Sequence, residues 1–259
     1  MSSAHAHAPN FDLDGRVALV TGSSKGLGRA MAFALGAAGA KVAFNYANGK
    51  EWAEKTFAEY TAAGFKGGLF RANVIDEADV NRMVAEITAQ LGPVDIVIPN
   101  ATPAQPLKPI EQYDWEFYQS MLDFFVKSPY LLTRATLPHM KKQKWGRIIN
   151  ITSEVFNRGV APFSAYVAAK GGQIGWSRSM ANELAPFGIT VNMIAPGWIP
   201  VERHANDSEH DKESYRRLIP MGRWGVPQDL AGTVVYLASD ASNFVTGQDI
   251  HVNGGMTVG

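Results

Sequence analysis

Ser153, Tyr166 and Lys170 are the residues of this chain best suited to do chemistry, and all three fall in the stretch 153–170. Tyr166 and Lys170 are four residues apart, so on a helix their side chains share a face. A free tyrosine has a pKa of about 10, too high for an effective acid–base group near neutrality. A lysine ammonium one turn away favours the phenolate and lowers that value. A serine hydroxyl alongside can bond a carbonyl or alcohol oxygen and fix its position. Together the three could move a proton on or off a C–O group. Taken alone, Tyr-x-x-x-Lys is also the pattern of a packed, solvated helix face, so the reading depends on the elements that position it.

Those elements alternate along the whole chain. Apolar runs at 17–20, 41–45, 68–72, 94–98, 147–152, 188–195 and 248–252 read as buried parallel strands. Helix patterns fill the intervals at 29–38, 50–63, 76–91, 113–140, 165–185 and 228–239. Asp76 is placed as an N-cap, and Pro129 should kink the long fourth helix. Strands spaced by helices predict an α/β fold, a single doubly wound parallel sheet of about seven strands with helices on both faces, Rossmann-like. Ser153 then sits at a strand end, where open α/β sheets bind ligands. Residues 13–259 read as one domain with an irregular, charged and aromatic lid at about 198–223, and residues 1–12 as a frayed N-terminus.

Gly22, Gly26 and Gly28 lie between the first strand and first helix patterns, in the order G-x-x-x-G-x-G. Glycines there let the backbone approach a pyrophosphate seated on the helix N-terminus. Ser24, Lys25 and Leu27 belong to the same loop. A site for NAD usually carries an acid at the end of the second strand. Here the chain reads Asn45-Tyr46, with no acid before Glu51. Lys25 can pair instead with a 2′-phosphate. The expected cofactor is therefore NADP(H), preferred over NAD(H).

Composition narrows the function classes. Hydrophobic content is 46% and charged content 19% over 259 residues, enough for a sizeable core. Lysine plus arginine equals aspartate plus glutamate at 24 each, with no basic patch, which argues against a nucleic-acid partner. The run Lys141–Lys142–Gln143–Lys144 reads as a solvated helix end. The absence of cysteine excludes disulfides, thiolate chemistry and cysteine metal sites, which fits a reducing, cytoplasmic setting. No apolar run reaches the ~18 residues of a membrane span, and the start resembles no signal peptide. His5 and His7 offer at most weak metal binding, and no metal site is expected.

The ordered set of motifs resembles the short-chain dehydrogenase/reductase family from about residue 13 to 258. It comprises Thr21-Gly22-x-x-x-Gly26-x-Gly28, Asn73-Val74, Asn100-Ala101, Ser153, Tyr166-x-x-x-Lys170 and Pro196-Gly197. The tail from Val245 to Gly255 resembles the β-ketoacyl carrier-protein reductases in particular. The resemblance implies an oxidoreductase that interconverts a ketone and a secondary alcohol by direct hydride transfer. Tyr166 would be the acid–base group, Ser153 would orient the substrate oxygen, and Lys170 would lower the tyrosine pKa and bond the nicotinamide ribose. Asn73 and Val74 would flank the adenine, and Asn100 with Ala101 the adenosine-side ribose. Pro196, Gly197 and Ile199 would border the nicotinamide. It also implies a homotetramer, paired through the long helices and the C-terminal strand region.

Three departures from the family pattern stand out. Thr102 replaces a usual glycine after Asn100-Ala101. Trp198-Ile199-Pro200-Val201 lacks a threonine that commonly contacts the carboxamide. Phe125 takes the place of an asparagine that holds a water on the lysine, so it either leaves the proton supply to another path or walls the substrate pocket. The aromatics Trp198, Tyr215 and Trp224 of the lid, with Phe156 and Phe163, suggest an apolar small-molecule carbonyl or alcohol substrate, its anionic group met by Arg203 or Arg216; the same aromatics could equally pack the lid. His204 reads as a surface residue. Two alternatives remain: an NAD-dependent alcohol or sugar dehydrogenase on the same fold, or a dinucleotide-binding protein with little catalysis.

Overall fold

The computed structural model describes residues 9–258. The histidines at 5 and 7 and most of the stretch expected to fray lie outside them. Seven strands form one sheet: β1 (Val17–Val20), β2 (Lys41–Tyr46), β3 (Gly67–Arg71), β4 (Ile96–Ile98), β5 (Gly146–Ile151), β6 (Ile189–Pro196) and β7 (Asp249–Val252). Their order is β3-β2-β1-β4-β5-β6-β7, and every pairing is parallel. The helices are α1 (Gly26–Ala37), α2 (Lys50–Ala62), α3 (Glu77–Gln90), α4 (Trp115–Leu122), α5 (Ser128–Gln143), α6 (Val155–Arg158), α7 (Ser164–Leu184), α8 (Glu209–Arg216) and α9 (Ala231–Ala238).

The strands are apolar throughout because both faces of the sheet are covered. One core packs Val20, Val42, Phe44, Ile98 and Ile149 against Met31 and Leu35 of α1, Tyr60 of α2, and Val234 and Leu237 of α9. The other packs Leu19, Val97, Ile148 and Val191 against Val80, Met83 and Ile87 of α3, Leu131 and Leu132 of α5, and Leu184 of α7. Strand β1 lies between β2 and β4, with Val20 beside Ile98. The chain leaves these two strands in opposite directions, which opens a crevice at their carboxyl ends. No helix among the described residues is long and apolar enough to cross a membrane.

Asp76 caps α3 as expected, accepting from Asp79 N–H at 2.8 Å. The long helix expected over 113–140 is instead two, α4 and α5, joined by a π turn at Asp123–Lys127. Pro129 explains the break. It has no N–H to give the carbonyl of Phe125, and its ring crowds that carbonyl. The backbone widens just before it, with Ser128 N–H reaching back to Asp123 O. The lid is more regular than expected. It contains α8, whose cap Ser208 accepts from Asp211 N–H.

Candidate active site

Helix α7 starts at Ser164 and presents Tyr166, Lys170 and Gln173 on its buried face. Tyr166 is 8% exposed and Lys170 3%. Ser153 stands two residues beyond β5, with its Oγ accepting from Val155 N–H at 3.4 Å. The Tyr118 and Ser164 hydroxyls, 2.6 Å apart, tie α4 to the first turn of α7. Ser153, Tyr166 and Lys170 thus meet at the carboxyl end of the sheet.

Burial and the lid set the electrostatics around Tyr166 and Lys170. Burial pushes the Tyr166 phenol above its usual value, with the Arg203 charge and the Ser153 hydroxyl pulling the other way. Lys170 is held well below its usual value by burial and then by Arg203, against the attraction of Asp249. Its Nζ donates to Ile151 O at 2.7 Å and Gln173 Oε1 at 3.0 Å, and lies 3.7 Å from the Phe125 ring centroid. The lysine is thus fastened to β5 and Gln173, 5.5 Å from the Tyr166 ring centroid, and Arg203, from the lid, is the cation whose charge acts on the Tyr166 phenol.

Phe125 lies in the π turn between α4 and α5. The π turn buries it edge-on to Tyr166, with centroids 5.2 Å apart, and under Lys170. It is a floor for the lysine rather than a substrate wall. Phe163, half-buried and 4.8 Å from Tyr166 between centroids, packs against the same tyrosine.

The crevice fits a dinucleotide. Helix α1 has no side-chain cap and no acid in its first turn, so its N-terminal amides are open to an anion. Gly22 has φ +62°, and a Cβ there would lie 2.8 Å from Ala101 Cα. A Cβ on Gly28 would collide with Gly22 O and Asn100 Nδ2. A cavity of about 230 Å³ opens between Gly26 and Ala30 on one side and Pro200, Val201 and Glu202 on the other. Lys25, at the helix start, is exposed. Ser24 is braced through its carbonyl by Thr56 Oγ1 at 2.6 Å. Leu27 faces the core.

Several residues expected to touch the cofactor also make bonds within the scaffold. Asn45 is 2% exposed; its Nδ2 donates to Ala72 O and its Oδ1 accepts from Gly22 N–H. Asn100 gives its amide to Thr21 O at 2.9 Å and Gly22 O at 3.2 Å, pinning β4 to the glycine loop. Ile199 belongs to the core. Tyr46 is half-buried, Asn73 exposed and Val74 buried. Gly197, after Pro196, is backed by Tyr215, Asn253 and Glu154. Thr102 is exposed and bonded by Gln105.

The lid aromatics pack on one another. Tyr215 stacks on Trp224 at 5.5 Å, and Trp198 meets both edge-on. Of the two expected readings this is lid packing. His204 is half-buried rather than a surface residue, its pKa brought down to about 4 by burial and by Arg203. Its Nδ1 accepts from Val201 N–H while Arg203 Nε faces its Nε2, each at 3.1 Å. A neutral imidazole accepts at one nitrogen only, so these two bonds exclude each other. The backbone bond closes the turn, which leaves the guanidinium available to another acceptor. Arg216, by contrast, is engaged by Glu213 at 2.7 Å.

Sequence reasoning missed Gln173 and Glu154. The first was findable, one turn beyond Lys170 on the same face. The second was not, because two of its three partners, Tyr215 and Asn253, are far along the chain.

A family model described as enoyl-(acyl carrier protein) reductase matches residues 22–257. The chain is 40% identical over 241 residues to the 3-oxoacyl-[acyl-carrier-protein] reductase FabG of Staphylococcus aureus, covering 92% of this chain and 97% of that one. It is 37% identical over 251 residues to the 2-dehydro-3-deoxy-D-gluconate 5-dehydrogenase of Formosa agariphila, covering 95% and 94%. The crystal structure of a gluconate 5-dehydrogenase from Burkholderia cenocepacia, in complex with NADP and tartrate, superposes with a TM-score of 0.89 at 31% identity, covering 96% and 97%. With its parallel seven-stranded sheet, its glycine loop and its Ser153–Tyr166–Lys170 cluster, the chain belongs to the short-chain dehydrogenase/reductase family of oxidoreductases.

Proposed function

We propose that the protein reduces a ketone to a secondary alcohol with NADPH, and runs the same step backwards with NADP. The observation that carries this reading is the meeting of Ser153, Tyr166 and Lys170 at the strand ends beside a glycine cradle that side chains would fill. Bound in that cradle, NADPH supplies the hydride. The α1 amides and Lys25 hold its phosphates, the latter pairing with the 2′-phosphate. Ser153 Oγ holds the substrate oxygen. Tyr166, kept protonated near neutrality by burial, gives its proton to that oxygen. Lys170 fixes the tyrosine from beneath.

Two features bear on the substrate. Phe163 offers an apolar flank, and Arg203 a cation whose turn does not satisfy it. They suit a ketone carrying an anionic group, in keeping with relatives named for acyl carrier-protein thioesters and for sugar acids. We read the protein as cytoplasmic and as a homotetramer.

The test follows NADPH and NADH oxidation against β-ketoacyl thioesters, keto acids, keto sugar acids and aryl ketones. Turnover with NADPH on a carboxylate-bearing ketone is expected, lost on its methyl ester. Lys25→Glu should weaken NADPH binding about tenfold, the effect of losing a charge-assisted contact, and leave NADH unchanged. Equal constants for both coenzymes, indifferent to Lys25, would overturn the coenzyme assignment.

A further inference from the structure

The carboxylate of Glu154 is 2% exposed and follows Ser153 directly in the chain. Three side chains from three separate segments donate to it. Tyr215 Oη, from α8 of the lid, donates to Oε1 at 2.6 Å. Arg158 Nη1, from α6, donates to the same oxygen at 2.8 Å. Asn253 Nδ2, from the tail beyond β7, donates to Oε2 at 3.1 Å. The Tyr215 hydroxyl also accepts from Trp198 N–H at 2.8 Å, so the start of the lid and its helix are held by one group. Gly197 fits only because it has no side chain: a Cβ there would lie 2.9 Å from Tyr215 Oη and 3.2 Å from Glu154 Oε2. The Trp198–Tyr215–Trp224 stack makes the lid a unit, so what holds Tyr215 holds all of it.

We infer that Glu154 is a positioning residue, a latch that fastens the lid through Tyr215 to the loop carrying Ser153, and so keeps the site preformed for its ligands. A buried carboxylate with three donors is tightly fixed, and breaking one donor costs more than an exposed hydrogen bond would. Since Arg203 sits in the same lid, the latch also sets the cation that faces Tyr166. In an unlatched protein, ligand binding must order the lid, which weakens affinity without altering the reacting groups.

The kinetic half of the test rests on the proposed reductase reading; the exchange half does not. In the full-length protein, Tyr215→Phe removes the hydroxyl and keeps the aromatic stack. Amides of 198–224 should exchange about tenfold faster, the effect of losing one hydrogen bond to a charged acceptor, while those of β4 and β5 do not change. KM for NADPH and for the carbonyl should rise about fivefold with kcat nearly unchanged, as expected when binding must order a segment. Glu154→Gln should give the same exchange pattern, and the double variant no more than either single. Unchanged lid exchange in Tyr215→Phe, or additive effects in the double variant, would overturn the latch. If wild-type protein turns over no carbonyl, the reductase reading fails while the exchange result still decides the latch.

Discussion

Burial holds the Tyr166 hydroxyl's pKa up, opposed by the Arg203 charge and then by the Ser153 hydroxyl. Burial keeps the proton on, which suits carbonyl reduction. Alcohol oxidation needs the phenolate, so its rate should climb with pH. Arg203 favours the phenolate, so Arg203→Gln raises the tyrosine pKa and moves that climb to higher pH. A pH–rate profile for oxidation checks this, and a shift to lower pH would remove Arg203 from the site. Tyr166→Phe should cost at least ~10²-fold in turnover, the usual contribution of a positioned acid–base group, with NADPH affinity measured by fluorescence nearly unchanged. Wild-type turnover in that variant would dismiss Tyr166 as the proton donor. The three polar residues were legible in the sequence because a helix brings i and i+4 together, and because Ser153 follows an apolar run. The part played by Arg203 was not legible. Arg203 lies far along the chain from Tyr166, and only the folded lid brings its charge to bear.

At the scale of elements, the glycine loop is the most constrained piece. Gly22 combines φ +62° with a close approach to Ala101. Gly22→Ala therefore meets both a left-handed backbone penalty and a collision, and should cost about 1–3 kcal/mol of stability. Urea denaturation measures it, with NADPH affinity lowered in parallel; a variant as stable as wild type would mean that the loop adjusts freely. The seven strands could be read because burial on both faces makes their residues apolar. The break between α4 and α5 was half legible: Pro129 announces a distortion, but its form, a π turn burying Phe125 under Lys170, follows from packing against α7. Helix α8 was illegible because its residues are nearly all polar, and the order of its turns rests on Ser208 and on Tyr215 reaching Glu154.

Over the whole molecule, the surface retains large apolar side chains that a lone chain would be expected to cover. Phe244, in the turn before β7, is fully exposed, and Trp115 and Tyr130 are exposed on α4 and α5. The sequence supplies these residues but not their exposure, since strand and helix patterns name an apolar face without saying what covers it. Exposed large apolar side chains are points at which copies can associate, and with a formal net charge of zero no long-range repulsion keeps copies apart. These positions lie on the two regions through which the family resemblance implies pairing, the long helices and the C-terminal strand. Light scattering on a sizing column should therefore give a mass near four times the 28.1 kDa of the chain. Phe244→Asp should break contacts made beside β7 and leave dimers, and Trp115→Asp should break those made by α4. In both, the far-ultraviolet circular dichroism should be preserved, because neither side chain contributes to the core. A monomeric wild type across micromolar concentrations would assign these side chains to another partner.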